Sequence, residues 1–339
     1  MHSLGVGVIG TGTWGSVHAR TYDSVDRVNV AAVADLDPER AQTLAADYGA
    51  TAYTDYRELL ADDAVEAVSI VTPDFAHAEI ALAAAEAGKH ILCEKPLAMT
   101  VEECEAIIAA AAKARVHLMV DFHARWSPPF FKARQAIEKG EIGVPQHAYY
   151  RLSDRIYVPA EMLKWAGQTT VMWFIGTHSI DTLRWLLDDE VARVYAVARS
   201  NVLENMGIPT PDYYQATLHF RSGATAQLEN SWILPNSNPN LIDLKCEIVG
   251  AKGAIYMDPS HNRTLEKYTE TEATYPDILV MPTVYGRQMG FAAESIRHFA
   301  ECCRDGGELL VTGRDGLEVT KVICAIEESV RTGQAVNVD

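Results

Sequence analysis

Near the start of the chain, Val6-Gly7-Val8-Ile9-Gly10-Thr11-Gly12-Thr13-Trp14-Gly15 carries an apolar run straight into G-x-G-x-x-G, and Asp35 follows twenty residues after the last glycine. Few patterns constrain a fold as tightly. In the strand–turn–helix context, Gly10 permits the tight turn, Gly12 lets backbone approach a pyrophosphate, and Gly15 brings helix and strand together. The N–H groups opening the helix, with Thr13 and Trp14 in its first turn, then face the phosphates. A second apolar run, Val28–Ala34, ends at Asp35, whose carboxylate suits a ribose diol and repels a 2′-phosphate. Leu36 follows where Ser or Arg would welcome that phosphate, and Arg40 reads as a solvated helix charge. The expected cofactor is therefore NAD rather than NADP.

The alternation continues to about residue 122. Asp37-Pro38 opens a helix that Gly49 closes, and Val65–Val71 ends at Thr72-Pro73 with His77 after it. An alanine-rich helix stops at Gly88, and a short strand follows over 90–93. Thr100-Val101-Glu102-Glu103 is a capping box, and Val116–Asp121 supplies a sixth strand. Such βα alternation predicts a doubly wound parallel Rossmann sheet over 1–122. From 123 to 339 strands follow one another through short turns, at 146–153, 191–200, 213–220, 224–232, 241–249 and 254–257. Helices are expected at 129–139, 171–187, 286–304 and 315–331. This half predicts an α+β domain with a large, mostly antiparallel open sheet, which would bind substrate and serve in oligomerisation.

The 339 residues carry a formal charge of −17, which repels nucleic acid and anionic membranes. No apolar run reaches membrane-spanning length, and the first strand begins too early for a signal peptide. The six cysteines show no C-x-x-C spacing and read as reduced cytoplasmic thiols. Asn262-Arg263-Thr264 is a glycosylation sequon that matters only in a secreted chain. Neither H-x-x-x-H nor H-E-x-x-H occurs, so no metal site is expected.

Glu94-Lys95-Pro96 follows the fifth strand, at the sheet edge where a nicotinamide should lie. Proline keeps Lys95 out of helical conformation, and a partly desolvated lysine there could polarise a reacting oxygen and move its proton.

The glycine loop, Thr72-Pro73 with His77, and the run Ala87-Gly88-Lys89-His90-Ile91-Leu92-Cys93-Glu94-Lys95-Pro96-Leu97-Ala98 resemble the Gfo/Idh/MocA family, the glucose–fructose oxidoreductase and inositol dehydrogenase group. Gly313-Arg314-Asp315-Gly316 and Glu328-Ser329-Val330-Arg331-Thr332-Gly333 extend the likeness over nearly the whole chain. The resemblance implies an NAD-dependent dehydrogenase acting on a secondary hydroxyl of a sugar, glycoside or cyclitol. It also implies a homodimer or homotetramer, Lys95 and His178 as the catalytic pair, and cofactor contacts at Thr72, Pro73, His77 and Glu94. One departure stands out: Phe174 occupies the place, four residues before His178, where the family commonly has aspartate. Phe174, His178, Asp181 and Trp185 share one helix face opposite Met172, Ile180, Leu183 and Leu187, so Asp181 could orient His178 instead. His123, Arg125, Trp126, Arg155, Trp165, Phe174 and Asp181 are the expected substrate-pocket residues, mixing charge and rings as a polyol requires. A carbonyl reductase and a catalytically silent NAD-binding sensor are the rival readings.

Overall fold

A computed structural model describes residues 3–261 and 264–338; Asn262 and Arg263 of the sequon lie outside the described residues. The chain divides into two compact units, 1–126 with 278–317, and 127–277 with 318–339.

The first unit begins with β1 (Leu4–Ile9), α1 (Thr13–Asp23), β2 (Val28–Ala34), α2 (Pro38–Tyr48), β3 (Thr51–Tyr53) and α3 (Tyr56–Leu60). It continues with β4 (Ala67–Ile70), α4 (His77–Glu86), β5 (His90–Cys93), α5 (Val101–Ala114) and β6 (Leu118–Val120). The order β3-β2-β1-β4-β5-β6, with every pairing parallel, is the doubly wound arrangement that the glycine pattern predicts. Only β3 lacks an apolar run to announce it, being an exposed Thr51 followed by half-covered Ala52 and Tyr53. Helix signals act as read: the Asp37 carboxylate accepts from the N–H groups of Glu39 and Arg40, Gly49 closes α2 in left-handed conformation, and Thr100 accepts from Glu103 N–H. Because all strands run parallel, the residues that follow β1, β2, β4, β5 and β6 gather along one edge, with the order reversing between β1 and β4.

The second unit carries α6 (Pro128–Glu138), β7 (Pro145–Arg155), α7 (Thr177–Leu187), β8 (Val191–Arg199), α8 (Val202–Asn205), β9 (Tyr213–Phe220), β10 (Thr225–Leu234), β11 (Ile242–Gly250) and β12 (Ala254–Met257). Small hairpin strands β13 (Lys267–Tyr268) and β14 (Ala273–Thr274) follow. The main sheet runs β12-β11-β7-β10-β9-β8-β17, where β17 is Val336–Asn337. It is antiparallel except for β7 against β10, which pair parallel, so the expected antiparallel character holds with one exception. Along β9 and β10 buried and exposed residues largely alternate, so one face is core and the other wet. On the wet face Tyr256, Glu247, Tyr149, Gln227, Thr217 and Tyr195 pair in register into one row across six strands.

The segment 278–317 returns to the first unit, a discontinuity that local pattern could not reveal. The helix expected from 286 starts later, as α9 (Phe291–Asp305). Tyr285 and Gly286 both take positive φ and instead turn a hairpin between β15 (Thr283–Val284) and β16 (Arg287–Gln288). Helix α10 (Gly313–Thr332) runs close to its expected span.

Candidate active site

Three glycines shape the first strand end. Gly10 has φ 96°, and a Cβ at Gly15 would overlap the Gly10 carbonyl oxygen. A Cβ at Gly12 would meet nothing within 4 Å, which leaves open space above the backbone where α1 begins. No side chain caps α1 at Gly12, so its first N–H groups remain available to an anion. Thr13 is exposed and Trp14 half-buried beside this opening. At the end of β2, Asp35 Oδ2 accepts from Thr11 N at 2.8 Å and Thr11 Oγ1 at 2.9 Å, and Oδ1 accepts from Asp37 N at 2.9 Å. A carboxylate has about four lone-pair sites, so capacity remains for a ribose hydroxyl. Arg40 turns its Nε to Asp37 Oδ2 at 3.3 Å, away from any phosphate-binding duty, and Leu36 is 93% exposed. These residues fit NAD.

After β5, Glu94 is buried and Lys95 half-exposed, with the Lys95-Pro96 bond cis. Glu94 Oε1 lies 3.3 Å from His18 Nε2, and Glu94 Oε2 accepts from Lys95 N at 3.2 Å. His18 Nδ1 is 3.0 Å from Ser69 Oγ, itself 2.6 Å from Tyr22 OH. Asp121, after β6, accepts from Ser295 Oγ and places Oδ2 3.8 Å from both His18 Nε2 and His123 Nδ1. His18, Glu94 and Asp121 thus offer donor atoms all within 4.8 Å of one another, a cluster that no local spacing announces. Burial alone would raise the Glu94 carboxyl; the His18 hydrogen bond and the charges of His18, Lys95 and His123 outweigh it and bring the pKa down to about 2. Sequence reasoning missed His18. Its signal is a histidine one turn before Tyr22 on the inward face of α1, where an apolar residue would be ordinary.

Several expected contacts are otherwise engaged. His77 is 1% exposed, its Nδ1 2.6 Å from the Pro96 carbonyl oxygen and its Nε2 2.9 Å from that of Thr72, so its ring grips backbone rather than facing a ligand. His123 is buried, stacked on Trp14 (centroids 5.4 Å apart) and tilted against Phe291. Arg125 pairs with Asp315 at 2.7 Å and donates to the Leu310 carbonyl; Trp126 packs on His298. These three side chains hold the strand end to the returning segment. Thr72 and Pro73 stay half-exposed at the end of β4.

In the second unit, the helix bearing His178 opens with a π turn over Met172–Gly176 before α7 proper. Asn230 of β10 ties α7 down, donating from Nδ2 to Ser179 Oγ at 3.0 Å and to the Leu152 carbonyl at 2.8 Å. Phe174, His178 and Trp185 are half-exposed on one face, as expected. Asp181, three residues beyond His178, is fully buried, 3.8 Å from Arg184 Nη1. Phe174 contacts Trp165 edge-on at 6.1 Å and Trp232 at 5.8 Å; Trp232 Nε1 donates to Asp154 Oδ2 at 3.1 Å. Arg155 donates to the carbonyls of Asn236 and Asn238, bracing that turn.

The parallel sheet in this order, the glycine cradle and the anchored Asp35 define a nicotinamide-dinucleotide oxidoreductase. The Oxidoreductase family NAD-binding Rossmann fold (GFO_IDH_MocA) matches residues 4–122, and that family's C-terminal alpha/beta domain matches 134–338. The chain belongs to the Gfo/Idh/MocA family. It is 30% identical over 345 residues to the scyllo-inositol 2-dehydrogenase (NAD(+)) of Bacillus subtilis, covering 100% of this chain and 97% of that protein. To the myo-inositol 2-dehydrogenase of Thermotoga maritima it is 27% identical, covering 98% of each. Its fold matches GenD2 from gentamicin A biosynthesis, solved in complex with NAD, with TM-score 0.88 at 24% identity over 100% of this chain and 97% of that one. Among the described residues no helix is long and apolar enough to cross a membrane.

Proposed function

We propose that the protein oxidises a secondary hydroxyl of a cyclitol, sugar or glycoside with NAD. The observation that carries this reading is Lys95. Its half-exposed side chain follows β5 on the strand-end edge that also bears the glycine loop and Asp35. Bound NAD supplies the hydride acceptor. The glycine loop and the first turn of α1 hold the pyrophosphate, and Asp35 holds the ribose. Lys95 takes up the hydroxyl proton, and His178, on the half-exposed face of α7, is the second proton-handling group. The ring faces of Trp165 and Phe174 suit the C–H face of a cyclic polyol. The inositol dehydrogenases among the relatives support a cyclitol first.

The test is NADH appearance on a panel of inositols, sugars and glycosides, with Lys95→Met and His178→Ala beside the wild type. Turnover lost in Lys95→Met is the expected result. Tight NAD binding with no turnover in either direction would instead favour the sensor. The tyrosine-bearing outer face of the second sheet supports a homodimer or homotetramer, to be checked by light scattering, and six cysteines without C-x-x-C spacing fit a cytoplasmic setting.

A further inference from the structure

Two buried histidines bracket Lys95 along the chain. On one side the His18 ring holds the Glu94 carboxylate, whose second oxygen accepts the Lys95 N–H. On the other side the His77 ring holds the carbonyl of Pro96. Neither ring is open to solvent, at 0% and 1% exposure. The His77 ring also reaches a second carbonyl: its nitrogens lie 2.6 Å from the oxygen of Pro96 and 2.9 Å from that of Thr72, so one buried ring spans the ends of two strands. An apolar residue would fill that volume but could hold neither carbonyl.

We propose that His18 and His77 are positioning residues for Lys95: together they fix the residues on either side of it, and His77 also joins the strand ends of β4 and β5 through Thr72. Between two pinned neighbours the Lys95 backbone keeps one position from which its side chain starts, and reacting groups need that, because a displacement of about 1 Å can cost on the order of a hundredfold in rate. The inference rests on Lys95 being the reacting amine, which Lys95→Met tests separately with scyllo-inositol and myo-inositol as probes.

His18→Leu and His77→Leu are expected to lower kcat by about 10- to 100-fold while the Kd for NADH stays within about threefold, the signature of lost transition-state alignment. His18→Gln keeps a donor toward Glu94 and should restore part of the loss; His77→Gln can reach one carbonyl only and should remain several-fold slow. Nitrogen-15 NMR of the histidine side chains in the wild type should show a slowly exchanging His77 ring proton, held against a carbonyl and absent in His77→Gln. That measurement needs no substrate and no destabilised variant. A His77 ring whose protons all exchange freely overturns the proposal, as do Leu variants, or a folded His77→Gln, with kcat within about twofold of wild type. If the wild type turns over neither inositol, the NMR result still decides whether the His77 ring is held by the strand-end carbonyls, while the functional reading falls by itself.

Discussion

Thr11 gives both its backbone N–H and its hydroxyl to a single oxygen of Asp35, at 2.8 and 2.9 Å, so the residue inside the glycine motif aims the carboxylate that ends the next strand. Cofactor choice therefore depends on a pair. Asp35→Ala should raise KM for NAD by about tenfold or more, since a hydrogen bond to a charged group contributes about 1.5–3 kcal/mol, and should narrow the preference over NADP. Thr11→Val, which removes one of the two bonds, should raise it by a few fold in the same direction. Steady-state kinetics with both cofactors decide this; unchanged selectivity in Asp35→Ala would place discrimination elsewhere.

The glycines separate binding from folding. Gly12→Ala meets no protein atom within 4 Å, so the melting temperature should hold while NAD affinity drops by about tenfold, roughly 1.4 kcal/mol, because the methyl fills the phosphate space. Gly15→Ala drives a methyl into the Gly10 carbonyl and should lower the melting temperature by several degrees, in line with the ~1–3 kcal/mol typical of overpacking. Calorimetry with and without NAD separates the two outcomes, and an equal loss of stability in both would refute the distinction.

What the sequence made legible is what depends on short spacing. The glycine loop, Asp35, the helix caps and the Glu94-Lys95-Pro96 segment all carry their geometry within a few residues. Side-chain direction was less accessible. His77 stands where a cofactor contact is expected, yet its ring turns inward to two carbonyls. Arg125 and His123 follow the sixth strand as substrate residues would, but partners from 278–317, nearly two hundred residues on, claim them. Asp181 lies on the same helix as His178 but is fully buried beside Arg184, a depth that helix spacing does not express. The parallel pairing of β7 with β10 is a long-range choice that alternation within a strand cannot express.

Glu94 makes stability depend on acid. Its pKa falls from the ordinary 4.5 to about 2 in the folded protein, so the unfolded chain binds the proton more readily. Its contribution is fully present above about pH 4.5 and is lost as pH falls toward 2. Glu94→Gln should therefore flatten the fall in melting temperature across that window while lowering stability at neutral pH, where His18 loses its contact with the Glu94 carboxylate. A variant with the same acid slope as wild type would show that other carboxylates govern the transition.

Glu327 has the opposite sign. Burial raises its pKa, although Tyr214 OH, at 2.9 and 3.0 Å from its two oxygens, and Thr170 Oγ1, at 3.2 Å, hydrogen-bond it and lower it in part. A carboxyl that holds its proton more tightly when folded stabilises the protein below the unfolded pKa and loses that contribution as pH rises through the folded one. As pH rises through the folded pKa the second unit thus takes on a partly buried charge whose removal should help. Glu327→Gln keeps an acceptor for Tyr214 and an uncharged group in the same space, so its melting temperature should exceed wild type by a few degrees at pH 8 and converge with it near pH 4. The pH dependence of melting in the two proteins checks this. Destabilisation at every pH would mean that the ionised pair with the Tyr214 hydroxyl is worth more than the burial it costs, and the sign assigned to Glu327 would be wrong.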